Sequence, residues 1–384
     1  MQSIDQKIVN ALIEDAKGFW PKRWSEIQEY FQKICLSAAV DVIMWDFSLF
    51  TKKGETHTLA ELKANAKCSE PAEYVFEKLL DILVEDNVLS LENGVYTCLD
   101  NDPEVWSPAE MVSEAIRKIP EEGAAFQWLA RGIGGLHRFI SGKLTGEEVM
   151  FGPWSDFSLV GQVYFTSEVY GFWSKLAGQS VKRLINEAFD KPITVLEIGA
   201  GTGSGTYDMF QSLGGPEPTH QKIGKYICTE IHKRLIKKTA KDPKFADYLD
   251  IMEFEGVDVT KPLEEQDVAL ESADLLYAVN VMHATDDILA CCEAMYKLVK
   301  KGGYAVLGEI APPKGKLYRY MELTFGQLYS YYHYNDKDLR PQSPILRPEQ
   351  WIEYFKKAGF SEAVAIPGDA IEGCDRGGAI IAYK

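Results

Sequence analysis

From residue 193 onward, short apolar runs alternate with longer stretches in which apolar and charged residues are mixed. Residues 193–198 (ITVLEI), 225–229 (KYICT) and 273–280 (ADLLYAVN) have the length and composition of buried strands. Strands that alternate with helices form a parallel sheet with helices on both faces. The pattern therefore predicts an α/β domain over residues 191–384, and an apolar run after a Gly-Gly turn near the C-terminus predicts an antiparallel last strand that completes it.

The first 110 residues follow a different pattern, in which helical segments precede two short strands. Residues 58–61 (TLAE) form a capping box, and Ser69 precedes a proline in the first turn of a second predicted helix. Two short alternating runs then flank Asn93-Gly94, a pair that favours a tight hairpin turn. Helix, helix and hairpin are typical of a winged-helix module, which we expect over residues 1–110.

The charge of this module bears on its partner, because winged helices often bind DNA and need a basic surface to do so. Residues 1–110 hold 10 Lys and Arg against 20 Asp and Glu, a net charge of −10. The whole chain has 41 basic against 57 acidic side chains, a net charge of −16, which disfavours nucleic acid and anionic membranes as partners. We expect the module to mediate homodimerisation or to pack as a lid, followed by a helical, aromatic-rich linker and lid over residues 111–190.

The composition indicates neither a membrane span nor an export signal nor a metal site. The longest apolar runs fall short of the roughly 20 residues that a membrane span needs, and the N-terminus (MQSIDQK) lacks the pattern of a signal peptide. The seven cysteines are scattered without metal-ligand spacing. We therefore expect reduced thiols, a cytoplasmic location and no metal.

A glycine-rich segment follows the predicted strand at residues 193–198. It reads GAGTG, and Gly199, Gly201 and Gly203 allow the backbone to approach a ligand closely or to take a positive φ. The loop alone is a weak signal, because dinucleotide-binding proteins have similar ones. Glu197 precedes the first glycine by two positions, where it can meet the charged amino-acid end of S-adenosyl-L-methionine, and this favours that cofactor over NAD.

The next three strand ends also carry suitable residues. Glu230, followed by Ile231, ends the second strand, where a carboxylate accepts hydrogen bonds from ribose hydroxyls. Asp258 and Val259 follow the third strand, at the position that holds the adenine amino group in methyltransferases, and Asn280 ends the fourth. Because parallel strands end at one edge of the sheet, these residues together predict an S-adenosyl-L-methionine site.

His283 and Glu309 are the candidates for catalysis at the same edge. His283 lies three residues past the fourth strand, and Glu309 closes the fifth. Methyl transfer needs the nucleophile about 3 Å from the methyl group and its proton removed. Glu309 would orient His283 and stabilise its protonated form, as the acid does in a hydrolase triad. The alternative is a structural histidine that caps the following helix. The other five histidines have no such carboxylate partner in the predicted arrangement. We expect them at the surface or packed against other side chains.

From about residue 142 onward the sequence resembles the methyltransferase domains of polyketide synthases. The similar segments are residues 195–203, 226–231, 280–285 (NVMHAT), 301–309, 323–326 (LTFG) and 340–346 (RPQSPIL). The resemblance implies a class I, Rossmann-like seven-stranded fold, and it implies His283 and Glu309 as a catalytic dyad for carbon methylation. Tyr164 is similar to a residue of the helix that covers the cofactor in that family. Members are parts of megasynthases, whereas we expect this chain to act as a stand-alone enzyme.

The substrate is expected to lie in an apolar pocket. Eight of the 17 residues from 318 to 334 are aromatic if His is counted, and we expect this segment to roof the pocket together with the helix of Tyr164. The predicted substrate contacts are Met282, Phe325, Tyr329 and Tyr332.

Three functions stay open. The first is methylation of a polyketide-like β-keto or enol substrate, either a free small molecule or one bound to an acyl carrier. The second is O-methylation of a free phenol, enol or carboxylate in natural-product biosynthesis. The third is a catalytically inactive binding subunit, which the intact glycine loop and the His–Glu pair disfavour.

Overall fold

The computed structural model describes residues 4–152, 154, 156–312, 318–341, 344–371 and 377–384, so positions 342 and 343 of the family segment 340–346 lie outside it. The α-helices within these ranges are α1 (Gln6–Phe19), α2 (Trp24–Ala39), α3 (Leu59–Ala66), α4 (Glu73–Glu85), α5 (Pro108–Lys118), α6 (Gly123–Ile140), α7 (Gly146–Phe151), α8 (Ser158–Thr166), α9 (Glu168–Ala188), α10 (Ser204–Leu213), α11 (Pro216–Lys222), α12 (Lys233–Thr239), α13 (Ile288–Leu298), α14 (Arg319–Glu322) and α15 (Pro348–Lys357). The strands are β1 (Thr56–Thr58), β2 (Leu89–Glu92), β3 (Val95–Cys98), β4 (Ile193–Ile198), β5 (Ile223–Thr229), β6 (Met252–Glu255), β7 (Ala273–Val279), β8 (Val299–Glu309), β9 (Glu362–Ile366) and β10 (Gly378–Tyr383). Within these ranges no helix is both long and apolar enough to cross a membrane.

Seven strands form one sheet in the order β6-β5-β4-β7-β8-β10-β9. The pairs from β6 to β8 are parallel, and β10 runs antiparallel to both β8 and β9. This confirms the predicted α/β fold and its antiparallel last strand. The order reverses between β4 and β7, and ligands bind parallel sheets at the carboxyl edge next to such a reversal.

The described chain divides into two compact units. The sheet unit comprises Met1–Trp20, Tyr170–Lys316 and Tyr334–Lys384, and the helical unit comprises Pro21–Val169 and Leu317–His333. This division differs from the predicted segments, because the first helix belongs to the sheet unit and residues 111–190 contribute to both.

Helix α1 packs onto the sheet through one apolar face. Ile8, Leu12 and Ala16 recur at four-residue spacing, are buried, and belong to the same apolar cluster as residues of β4 and β5. On another face of the helix, Asp15 accepts two hydrogen bonds from Arg183 of α9, at 2.6 and 2.9 Å. An amphipathic pattern shows that a helix has a buried face, but not which core that face joins.

The helical unit contains the predicted capped helix and hairpin. Thr58 and Glu61 form the capping box at the start of α3, and β2 and β3 form a hairpin, with β1 pairing on the other side of β3. Asn93 and Gly94 both have positive φ, 51° and 79°, as a tight two-residue hairpin turn requires. The aromatic segment 318–334 lies largely in this unit, where Tyr320 stacks on Phe31 with ring centroids 4.0 Å apart.

The burial of α1 predicts that Leu12→Ala lowers the free energy of unfolding by about 2–5 kcal/mol, because the truncation leaves a cavity in the core of the sheet unit. Chemical denaturation monitored by circular dichroism measures this loss. Glu14→Ala, on the exposed face of the same helix, is the control and should change the stability by less than about 0.5 kcal/mol. Equal effects of the two substitutions would show that α1 does not pack on the sheet.

Candidate active site

The glycine-rich loop leaves β4 at Ile198 and enters α10. Gly199 and Gly203 have φ values of 65° and 81°, and a Cβ at either position would overlap a neighbour, at 2.6 Å from Val281 and 2.9 Å from the ring of Phe245. At Gly201 (φ 55°) the only atom of the described residues within 4 Å of a Cβ would be the carbonyl oxygen of Gly199, at 3.8 Å. The outer two glycines are therefore required by packing, and the middle one borders open space.

Glu230 ties this loop to the end of β5. One oxygen of its buried carboxylate accepts the backbone N–H of Gly201, and the other accepts that of His232, both at 2.9 Å. A carboxylate has about four acceptor sites, so Glu230 retains capacity for the hydroxyl groups of a ribose. The next side chain, Ile231, is 57% exposed, unusual for isoleucine and suited to the face of an adenine ring.

Glu197 points into the sheet unit. One of its oxygens accepts hydrogen bonds from Thr206 (2.6 Å) and Tyr226 (2.7 Å), and the side chain is buried. Burial raises the pKa of Glu197, while the two hydrogen bonds lower it. The effect of burial is larger, so the pKa is about 7. These internal partners explain how the carboxyl group is held, while its contact with a cofactor stays a prediction.

The end of β6 carries Asp258 and Val259. Burial raises the pKa of Asp258, but the hydrogen bonds from Thr260 and Lys261 lower it by more, so that the net pKa is lowered. The Thr260 hydroxyl donates to this carboxylate at 2.6 Å, and the Lys261 ammonium lies 2.9 Å away. Val259 is buried. A role for the two residues beside adenine stays a prediction.

Asn280 turns the chain away from β7. Its φ of 54° lies in the left-handed region, which asparagine tolerates better than most residues. Its N–H donates to Gly308 of β8 at 2.7 Å, so the turn is fixed to the neighbouring strand. The chain then forms a short 3-10 turn, Met282–Ala284, with the Met282 side chain buried.

The structure brings His283 and Glu309 together, as the sequence predicted. The Nδ1 atom of His283 lies 2.6 Å from Oε2 of Glu309. The other oxygen, Oε1, accepts the backbone N–H groups of Val281 (3.1 Å) and Met282 (2.8 Å). The Glu309 side chain is fully buried, whereas that of His283 is 17% exposed. The carboxylate therefore fixes both the turn and the ring, and the ring stays accessible.

Two other histidines also have a carboxylate neighbour, so the expectation that they have none was wrong for these two. His57 lies 3.1 Å from Glu55, and His220 lies 2.8 Å from Asp250. Both partners come from segments outside the strand ends that the sequence analysis compared. The hydrogen bond that His220 donates to Asp250 raises the pKa of His220. A short His–carboxylate distance alone thus does not distinguish an active site, and His283–Glu309 differs from these two pairs in lying at the carboxyl edge of the sheet.

The remaining predicted contacts belong to the helical unit. Tyr164 is half-buried on α8, and Phe325 packs on Trp128 with ring centroids 5.9 Å apart. Tyr329 is 58% exposed and stacks on His333 at 3.7 Å, and Tyr332 is half-buried. Their roles as cofactor and substrate contacts stay predictions.

Among the described residues, sequence reasoning missed several buried charged side chains, of which Glu122 and Arg340 make the hydrogen bonds that follow. Glu122 accepts hydrogen bonds from the Ser167 hydroxyl (2.5 Å) and the Glu168 N–H (2.7 Å), and so holds the junction of α8 and α9. Arg340 donates to the backbone carbonyl of His283 at 3.0 Å. Neither has a periodic or strand-end signal, and only the place of Arg340 in the family segment 340–346 could have drawn attention to it.

The strand order and the edge site together define a class of protein. The sheet is open and mostly parallel, and its antiparallel strand β10 lies between β8 and β9. A glycine-rich loop follows the first parallel strand, and an acidic residue follows the second. This is the class I methyltransferase architecture. The space beside Gly201, the acceptors on Glu230 and the exposed Ile231 fit S-adenosyl-L-methionine.

Comparison with known proteins places the chain within this class. A family model described as a methyltransferase domain matches residues 196–305. The chain is 27% identical over 236 residues to polyketide synthase PksM of Bacillus subtilis (strain 168). The aligned region covers 60% of this chain and 5% of that protein. The chain thus contains a methyltransferase domain and is similar to a part of a polyketide synthase.

Solved structures show the same fold. The crystal structure of CurJ carbon methyltransferase matches with a TM-score of 0.83 at 24% identity, covering 98% of this chain and 97% of that one. The trans-methyltransferase CalH in complex with SAH matches with a TM-score of 0.67 at 18% identity, covering 95% and 92%. The N-terminal helices and strands are therefore included in the shared architecture.

The open side of the glycine loop predicts that Gly201→Val weakens S-adenosylmethionine binding at least about tenfold, because the new side chain enters the space where the ligand approaches. Isothermal calorimetry measures the affinity. Gly368→Val is the matched control, since Gly368 has a similar φ of 57° and open surroundings in the same unit. Equal losses in both variants would mean that backbone strain, not ligand contact, weakens binding.

The raised pKa of Glu197 predicts a pH-dependent stability. The folded state favours the protonated carboxyl group, so its contribution is complete below the ordinary value of 4.5 and is lost as the pH rises through about 7. Between pH 5.5 and 8.5 the wild-type protein should lose on the order of 2–3 kcal/mol more stability than Glu197→Gln. Urea denaturation at both pH values measures the difference. The exposed Glu217→Gln should follow the wild type, and parallel curves for wild type and Glu197→Gln would contradict the assignment.

Proposed function

We propose that His283, oriented by Glu309, is the base for carbon methylation of a polyketide-like β-keto or enol substrate. The observation that carries this proposal is the 2.6 Å contact between Nδ1 of His283 and Oε2 of Glu309 at the carboxyl edge of the sheet. Both residues lie beside the strand end at Asn280, where the methyl group of the cofactor is expected.

The hydrogen bond supports a definite tautomer. An ionised carboxylate only accepts, so Nδ1 carries the proton and Nε2 keeps its lone pair. Nε2 is then the atom that takes a proton from the substrate, and the negative charge of Glu309 stabilises the imidazolium that results. Because Glu309 also holds two backbone N–H groups of the same turn, the ring does not need to reorganise during the reaction.

The cofactor supplies an activated methyl group, and the chain's own residues position the nucleophile and remove its proton. The carbon between two carbonyl groups is acidic enough for a histidine to deprotonate when it is held in line with the methyl group. The similarity to polyketide synthases and the likeness to CurJ, a carbon methyltransferase, support this acceptor. Phe325, Tyr329 and Tyr332 are proposed to contact the apolar part of the substrate.

Proton exchange tests the base separately from methyl transfer. A β-keto thioester is incubated with the enzyme in heavy water without cofactor, and the deuterium at its α-carbon is followed by NMR. Trideuteromethyl-labelled cofactor is then added, and mass spectrometry locates the label. We expect enzyme-dependent exchange and label on the α-carbon, with free and carrier-bound thioesters as the two arms. Label on oxygen would assign O-methylation instead, and no label in either arm would refute the proposed substrate class.

The arrangement predicts that His283→Ala lowers kcat by about 10² to 10⁴ while the affinity for S-adenosylmethionine is unchanged. Glu309→Gln should lose a similar factor. If its amide oxygen keeps the two backbone hydrogen bonds, its NH₂ group faces Nδ1 and favours the wrong tautomer of the ring. Steady-state kinetics and calorimetry measure the two quantities.

His220→Ala is the matched control, because His220 also pairs with a carboxylate, at 2.8 Å, but on α11. It should retain wild-type kcat. Wild-type turnover in His283→Ala would rule out the imidazole as base and leave proximity as the mechanism.

A further inference from the structure

Arg340 is a buried guanidinium that binds the turn carrying His283. Its side chain is fully buried, and it donates to the backbone carbonyl groups of His283 (3.0 Å) and Thr285 (2.9 Å). It also reaches the carbonyl oxygens of Asp286, at 3.4 Å, and Pro344, at 3.2 Å. A guanidinium has five N–H donors in a fixed plane, and here its two terminal nitrogens reach three carbonyl groups of one short segment, those of His283, Thr285 and Asp286.

Asp336 neutralises this buried charge. It accepts from Nε of Arg340 at 2.7 Å and from Nη2 of the same side chain. Its second oxygen accepts the N–H of Ile288, the first residue of α13, at 3.1 Å. A buried charge without a partner would be strongly unfavourable, so the pair forms one structural unit with the turn and the helix that follows it.

The residues around the pair hold the guanidinium in place. The ring of Tyr334 lies 4.4 Å from it, and the Tyr334 hydroxyl donates to the backbone carbonyl of Arg340 at 2.8 Å. The N–H of Asn335 donates to the carbonyl of Asp286 at 2.8 Å. Residues 334–340 therefore form a brace along the turn.

The turn is thus bound on both of its hydrogen-bonding sides. Glu309 accepts hydrogen bonds from the N–H groups of Val281 and Met282. Arg340 donates to the carbonyl groups of His283 and Thr285. Within the turn itself, the backbone bonds are the 3-10 contacts from Ala284 to Val281 (3.1 Å) and from Thr285 to Met282 (3.2 Å). The Thr285 hydroxyl also donates to the Met282 carbonyl at 2.8 Å. These local bonds close the turn, and Glu309 and Arg340 fix its place in the unit.

We propose that Arg340 is a positioning residue for the reaction, one that sets the place of the His283 ring through the backbone of its turn. This inference rests on the proposed function, in which His283 is the base. Arg340 acts through the turn and not through contact with substrate or cofactor. Its effect arises because a displacement of about 1 Å at a reacting group costs up to about a hundredfold in rate.

Arg340→Lys keeps the positive charge beside Asp336 but replaces the planar group, which binds several carbonyls at once, by a single ammonium. We expect kcat to fall about 10- to 100-fold. The affinity for S-adenosylmethionine and its stoichiometry, measured by calorimetry, should be unchanged. The stoichiometry counts folded molecules, so a loss of fold is separated from a loss of turnover.

Arg183→Lys is the matched control. Arg183 of α9 donates two hydrogen bonds to Asp15 of α1, at 2.6 and 2.9 Å. This pair lies in the same unit but does not contact the turn that carries His283. It should lower the melting temperature without changing kcat per binding site. If Arg340→Lys gives no folded protein, Tyr334→Leu, which removes the ring beside the guanidinium, takes its place in the same measurements with an expected severalfold loss of kcat.

A double-mutant cycle separates the two proposals. If Arg340 acts through His283, Arg340→Lys should have no further effect on kcat in the His283→Ala background. Equal factors in both backgrounds, or an unchanged kcat in Arg340→Lys, would overturn the positioning role while leaving His283 as the base. If His283→Ala itself retains full turnover, the proposed function fails first.

Discussion

The carboxylate of Glu309 is the group that joins the turn after β7 to the end of β8 at the carboxyl edge of the sheet. It is fully buried, at the end of a strand in the middle of the sheet, where an unsatisfied charge would be strongly unfavourable. Three donors converge on it, two from the backbone after β7 and one from the His283 ring. The hydrogen bonds that satisfy this charge therefore also determine the path of the turn and the orientation of the His283 ring, so that the same contacts would serve both stability and the proposed chemistry.

Glu230 plays the corresponding part at the glycine-rich loop, on the side of the edge where the cofactor is proposed to bind. It too joins two strand ends through backbone N–H groups, those of Gly201 after β4 and His232 after β5. Its carboxylate retains acceptor capacity, and Gly201 leaves the adjoining space open. One acidic residue thus shapes the glycine-rich loop, while the other closes the turn that carries His283, the proposed base.

The strand ends were predictable from sequence because two simple rules determine them. Apolar runs locate buried strands, as at Ile193–Ile198, and parallel strands end at a common edge, which brings His283 and Glu309 together from 26 residues apart. Contacts that follow no period were not predictable. Arg340 reaches the turn from 57 residues away out of an irregular segment, and the helix containing Leu12 joins the sheet core although most of the N-terminal segment belongs to the helical unit.

The two sides of the His283 turn also differ in the kind of group that holds them. Backbone N–H groups are held by an acid at the end of a regular strand, a position that the fold supplies to any sequence with a suitable residue there. Backbone carbonyl groups need donors, and a lysine could reach only one or two of the four carbonyls that Arg340 binds. The planar guanidinium can instead bridge carbonyls that diverge as the chain turns towards α13. A buried arginine, with Asp336 to neutralise it, is therefore the side chain best suited to fix that turn.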